Sequence, residues 1–324
     1  MRFLGMLILS AGLWAQPVNA PSDAVRAAVA RLELERYKAH IKGLTEFGDR
    51  THGTQHNRDA IDWLEKQLRG FGYSNVERHL YTSGFTTQEN IYATKVGTTI
   101  PGEMYLVSAH MDGRGGGEAA DDDASGCAVV LELARVLGMP GVETNRSVRF
   151  VFWNGEEAGL VGSSMYVRDR KKFQGTATEP KWIGMIQFDM TLFDHGTPPG
   201  PKQSANADIN IEYQAQSSMA GESAMLAAAL QSANRSYAPT YPATIGANMA
   251  DSDSTLFMNL VPTVSVRENE KRTGIGVGSN PNYHQPTDRY GNYGEEDFRF
   301  GFNSAQTTLG ALGHLAGIAL TQPR

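Results

Sequence analysis

Three apolar runs in this chain end in groups that bind metals well. Residues 104–109 run into His110-Met111-Asp112, residues 149–153 into Asn154-Gly155-Glu156-Glu157, and residues 184–188 into Asp189. A carboxylate or imidazole directly after an apolar run is costly unless something compensates it, and a bound cation does so. Between the first two runs lies Ala120-Asp121-Asp122-Asp123-Ala124-Ser125-Gly126. Three adjacent carboxylates repel one another. Taken alone they suit a solvated helix N-terminus, where Asp favours the macrodipole. Beside three acidic or histidine-bearing strand ends, a cation is the stronger account. Near the C-terminus, residues 280–288 offer His284 after Tyr283 in what would otherwise be an ordinary polar turn.

The candidate set is therefore His, Asp, Glu, Asp and His. The chain has one cysteine, Cys127, so a thiolate cluster is excluded. Mixed imidazole and carboxylate ligands suit zinc, and also manganese or cobalt. Five ligands exceed one tetrahedral site that keeps a position open for water. With one Asp bridging through its two oxygens, they fit two ions. Two-metal sites with ions about 3.5–4 Å apart are typical of hydrolases.

The elements that must position these groups follow from periodicity. Helices are expected at 21–44, 57–71, 124–137, 160–170, 222–233 and 302–320, where apolar residues recur at helical spacing. Strands are expected at 76–81, 90–93, 104–109, 147–153, 182–188, 209–213 and 261–266. Several of these strands show almost no alternation, which means burial on both faces. Continuous apolar strands alternating with helices imply one α/β domain: a mixed, mostly parallel sheet with helices on both faces. Ligands bind such sheets beyond the carboxyl ends of their strands, where the candidate residues fall. Adjacent residues on a regular strand point to opposite faces. Glu156 and Glu157 can thus converge only where the strand breaks, and Asn154-Gly155 supplies the break.

Hydrophobic residues make up 40% of the chain and the net charge is −6. No basic run marks a nucleic-acid surface. Residues 1–20 read as an export signal: Arg2, an apolar stretch from Phe3 to Trp14 too short to span a bilayer, then Val18-Asn19-Ala20. The remaining segment, 21–324, is expected to be one domain, secreted or periplasmic. No membrane span is expected, and the sequence leaves the oligomeric state open.

Taken in order, these motifs resemble the secreted two-zinc aminopeptidases, a metallopeptidase family that also contains glutamate carboxypeptidases. The resemblance runs from Arg50-x-x-Gly53-x-x-x-Asn57-x-x-Ala60-x-x-Trp63-Leu64 through His110-x-Asp112, Asp121-Asp122-Asp123-x-Ser125-Gly126, Glu156-Glu157, Gln187-Phe188-Asp189-Met190, Ser252-Asp253 and Tyr283-His284. It implies that 21–324 is a zinc peptidase domain with two zinc ions per chain and peptide substrates. Asp122 bridges the ions, His110 and Asp189 serve one, and Glu157 and His284 serve the other. Glu156 is implied to be the general base, Asp112 to orient His110, and Tyr283 to donate to the oxyanion. The peptide after Asp122 is implied to be cis. Departures are Ser254 where the family often has His, no disulfide, and no protease-associated insertion between Val76 and His110. Arg267, Glu268, Glu270, Lys271 and Arg272 add charge near the pocket for the substrate side chain.

Three other functions compete with an aminopeptidase. A carboxypeptidase of the same family would use cations from residues 267–272 to hold a substrate carboxylate. An acyltransferase like glutaminyl cyclase would use one zinc, and residues 121–126 argue against it because they resemble the two-metal pattern. A non-catalytic binding protein would have lost ligands, and none is missing.

Overall fold

The computed structural model describes residues 21–194, 209–268 and 280–321. The segment 1–20, read above as an export signal, lies outside the described residues. So do 270–272 of the charged stretch.

Eight strands form the main sheet: β1 (Glu77–Ser83), β2 (Thr86–Lys95), β3 (Ile100–His110), β5 (Arg146–Trp153), β6 (Lys181–Phe188), β7 (Ile209–Glu212), β8 (Ala243–Gly246) and β9 (Thr263–Arg267). Their order is β1-β2-β5-β3-β6-β9-β7-β8. The centre, β5-β3-β6-β9, is parallel throughout, and antiparallel pairs flank it. The short strands β4 (Val142–Thr144) and β10 (Ile318–Leu320) pair separately.

The unbroken apolar runs are explained by two cores, one on each face. Along β3, Tyr105, Val107 and Ala109 join one core while Met104 and Leu106 join the other. Along β5, Val148, Phe150 and Phe152 face the first, and Val151 and Trp153 the second. The first core is covered by α1 (Asp23–Val29), α2 (Leu34–Thr45), α3 (Gln55–Gly70), α4 (Gly126–Gly138), α6 (Ala220–Tyr237) and α7 (Glu295–Leu312). The second is covered by α5 (Val161–Arg170), through Tyr166. Mixed sheet, mostly parallel strands and two covered faces agree with the fold class read from the sequence.

Two expected helices are corrected. The helix expected at 21–44 is broken between α1 and α2. There the Glu33 backbone N–H donates to Glu132 of α4 at 2.7 Å, and Arg135 donates to the Arg31 carbonyl at 2.6 Å. Side chains of α4 thus satisfy backbone groups that a continuous helix would have used itself. The helix expected at 302–320 starts earlier, at Glu295; its α-helical part ends at Leu312 and a π turn over Gly313–Gly317 follows. Glu295, Glu296 and Asp297 place acidic groups in its first turn, and Asp297 accepts the Gly294 N–H at 2.6 Å. Its expected last residues instead form β10.

Candidate metal centre

The carboxyl ends of β5, β3 and β6 bring the candidate ligands together. His110 is the last residue of β3, Asp189 follows β6, and Glu156-Glu157 follow β5. Asp122 comes from the turn before α4, and His284 from a loop, with φ +55. The five residues form two groups sharing Asp122. In one, ligand atoms of His110, Asp122 and Asp189 lie within 4.8 Å of one another; in the other, those of Asp122, Glu157 and His284 do. The two oxygens of Asp122 face different imidazoles: Oδ1 is 3.1 Å from His110 Nε2, and Oδ2 is 3.1 Å from His284 Nε2. Glu157 Oε1 lies 2.8 Å from His284 Nε2.

These short contacts are not hydrogen bonds in alignment. Asp122 Oδ2 and Glu157 Oε1 are buried without a hydrogen-bond partner. Orphaned buried carboxylate oxygens are costly, and a cation between them and the imidazoles removes that cost. Donor types and geometry therefore fit zinc in both groups.

The residues around the ligands have separable tasks. Of the three adjacent aspartates, only Asp122 enters the centre. Asp123 accepts backbone N–H groups from His110, Gly126 and Met190 at 3.2, 3.0 and 3.2 Å, tying the ends of β3 and β6 to the start of α4. An added Cβ at Gly126 would lie 2.5 Å from Asp123 Oδ1, so the motif requires glycine there. Asp121 turns the other way and accepts from the Leu192 N–H at 2.8 Å and from Asn280 at 2.6 Å. The Asp122–Asp123 peptide is cis.

Asp112 differs from the role implied for it. The group beside the second nitrogen of His110 is the Asp112 backbone carbonyl, 2.8 Å from Nδ1, while the carboxylate stands 3.9 Å away. That carboxylate instead accepts the backbone N–H groups of Gly155, Glu156 and Glu157 at 2.8, 3.1 and 3.2 Å. It fixes the loop carrying both glutamates, where Gly155 makes the break at φ +84. Ligating histidines commonly donate their free nitrogen to a carbonyl or a carboxylate, so either oxygen serves.

Tyr283 stacks on His284, with ring centroids 3.8 Å apart, and is 41% exposed. Ser163 donates to Asp253, which is buried and also accepts from Gln187 at 3.2 Å.

Electrostatics follow from burial of so many acids. Burial pushes the Glu156 carboxyl up to about 9; His110 opposes the rise, and Asp253, Asp189 and Asp112 add to it. Asp122 goes the other way: burial alone would raise it, but His110 and His284 hold it well below the usual carboxylate range. His284 is raised to about 9, because Asp122 and Glu157 outweigh its partial burial.

Several supporting residues have roles that the sequence did not assign to them. Arg50 is fully buried, and its guanidinium donates to the carbonyls of Met111, Glu118 and Ala119 at 2.8, 2.6 and 2.9 Å. It clamps both chain segments that flank His110 and Asp122. Asn57 and Asn154 exchange side-chain hydrogen bonds at 2.9 and 3.0 Å, holding the residue before Gly155. Asp288 accepts the Asp121 and Asp122 N–H groups at 2.9 and 3.2 Å. Arg267, read above as a pocket charge, is buried and donates to Asp189 Oδ2 at 2.6 Å. The signal for Arg50 and Asn57 was their place in the leading motif. For Arg267, nothing local pointed to Asp189, which lies 78 residues away.

Fold and site together define a class: an α/β protein whose parallel strand ends gather an imidazole–carboxylate set that could hold metal ions. A family model described as peptidase family M28 matches residues 90–299. The chain is 30% identical over 190 residues to leupeptin-inactivating enzyme 1 of Streptomyces exfoliatus, covering 56% of this chain and 42% of that protein. The matched stretch spans under half the length of the curated relatives. Its fold is similar to a zinc aminopeptidase from Bacillus subtilis (TM-score 0.69, 14% identity, 88% and 95% of the two chains). It is also similar to Porphyromonas gingivalis glutaminyl cyclase (TM-score 0.66, 20% identity, 88% and 99%). The chain belongs to peptidase family M28. Among the described residues no helix is long and apolar enough to cross a membrane.

Proposed function

We propose that this chain is a secreted zinc aminopeptidase that removes N-terminal residues from peptides with two zinc ions. The observation that carries this reading is Asp122, whose two oxygens each face a different imidazole within two triads of ligand atoms. His110 and Asp189 complete one zinc site with it, and Glu157 and His284 the other. Bound zinc supplies Lewis acidity, polarising the scissile carbonyl and making water a stronger acid.

The remaining chemistry belongs to the chain. Glu156 accepts a proton from the attacking water as its oxygen bonds to the carbonyl carbon. It then delivers that proton to the nitrogen as the C–N bond breaks, so the amine leaves neutral. Burial raises its pKa to about 9, which suits a group that must hold the proton between the two steps. Asp112 holds Glu156 and Glu157 side by side through their backbone N–H groups. Tyr283, at the exposed side of His284, donates to the developing oxyanion.

Fold similarity extends to a glutaminyl cyclase, so fold does not choose the reaction. The complete second triad favours the two-metal peptidase. A carboxypeptidase loses one proposed anchor, because Arg267 is already committed to Asp189. Amino-acid release from paired free and N-acetylated peptides, with zinc content measured on the same sample, tests the reading. Release from the free peptides alone is expected. Equal release from both, or from the C-terminal end only, would overturn it.

A further inference from the structure

A glycine-rich loop stands at the mouth of the centre. Residues 113–117 read Gly-Arg-Gly-Gly-Gly, and their backbone packs closely on both metal-site loops. A Cβ at Gly113 would lie 2.9 Å from the Asp122 carbonyl oxygen, and one at Gly115 only 2.7 Å from the His284 carbonyl carbon. The Gly116 N–H donates to Asp49 at 3.1 Å. Arg114 is therefore carried on a backbone wedged between Asp122 and His284.

Its side chain is 55% exposed, and Nη1 lies 3.8 Å from Glu157 Oε2, beyond hydrogen-bond range. Glu157 is already faced by His284 through its other oxygen. The neighbouring Arg289 is paired with Glu118 at 3.2 Å. Arg114 is thus a cation beside a proposed zinc ligand whose fork of donors is open to solvent.

We propose that Arg114 determines specificity by binding the C-terminal carboxylate of short peptides, which makes free dipeptides the preferred substrate class. The inference rests on the aminopeptidase reading above. An arginine fork matches a carboxylate in a bidentate, charge-assisted pair. Successive Cα atoms are about 3.8 Å apart, so a dipeptide's carboxylate lies about one residue's span past the bond that is cut. Arg114 Nη1 stands 3.8 Å from Glu157 Oε2, at the open side of the ligand set, so its fork is within reach of a carboxylate so close to the cut bond. Its charge also repels the substrate's ammonium, so the peptide enters with its carboxylate toward the glycine loop.

The test compares Leu-Gly with Leu-Gly-amide, and a pentapeptide with its amide, on the zinc-loaded full chain, Arg114→Gln and Arg114→Lys. Cleavage is read as kcat/KM. Binding is read by calorimetry in a Glu156→Ala background, so carboxylate recognition is measured whether or not the peptide is cut. We expect Leu-Gly to be favoured over its amide about tenfold. The ratio falls to near one in Arg114→Gln, stays intermediate in Arg114→Lys, and is near one for the pentapeptides throughout. Because each ratio is internal to one variant, a lower absolute rate or zinc content does not blur it. A dipeptide ratio near one in the unsubstituted chain, or an unchanged ratio in Arg114→Gln, overturns the proposal. A binding preference without amine release would instead overturn the aminopeptidase reading while upholding the role of Arg114.

Discussion

The two halves of the centre share Asp122 but are built differently. His110 and Asp189 terminate adjacent parallel strands, have side chains 1% and 5% exposed, and are fixed from behind by the Asp112 carbonyl and by Arg267. Glu157 and His284 sit on loops, with side chains 10% and 24% exposed. Their support comes from Asp112 beneath one and the glycine loop against the other. Strand ends give positional precision, whereas loops admit a substrate. In our account the buried half holds an ion in place, and the open half, with Tyr283 and Arg114 beside it, meets the peptide.

The largest effect comes from removing what the halves share. Asp122→Ala should lose both ions and all measurable activity, as read by zinc analysis and peptide release. Retention of one tightly bound ion would mean that the halves are independent. Next is Glu156→Ala, expected to keep both ions while turnover falls about 10²–10⁴-fold. Near-normal turnover there would remove the proposed base. Asp112→Asn comes last, at about 10–100-fold in zinc affinity or activity, the usual range for groups that support metal ligands. Its effect should be larger on the open half, because its carboxylate holds the Glu157 N–H and not the His110 ring. A loss confined to the buried half would restore the role that the family resemblance implied for it.

Much of this was legible in the sequence because strand ends are local. An apolar run followed by His or Asp marks both the strand and the residue at its exit, as at residues 104–110 and 184–189. The break at Asn154-Gly155 was equally readable, since glycine is the residue that accepts φ +84 there. What stayed hidden is long-range. The sequence could not distinguish the three aspartates by position alone. Their separation depends on Leu192, Asn280 and Met190 arriving from other elements. The interruption after α1 depends on Glu132 and Arg135, about a hundred residues later. Arg267 reads as a pocket charge until β9 is placed beside β6, where it meets Asp189.

Two unequal triads joined by Asp122 should hold two ions. Equilibrium zinc content of the purified chain, Asp189→Ala and Glu157→Ala tests it most directly. Two zinc ions are expected per unsubstituted chain and one in each variant. The ion left in Asp189→Ala is lost on adding a His284 substitution, and the ion left in Glu157→Ala on adding a His110 substitution. One zinc per unsubstituted chain, unchanged by Glu157→Ala, would contradict it.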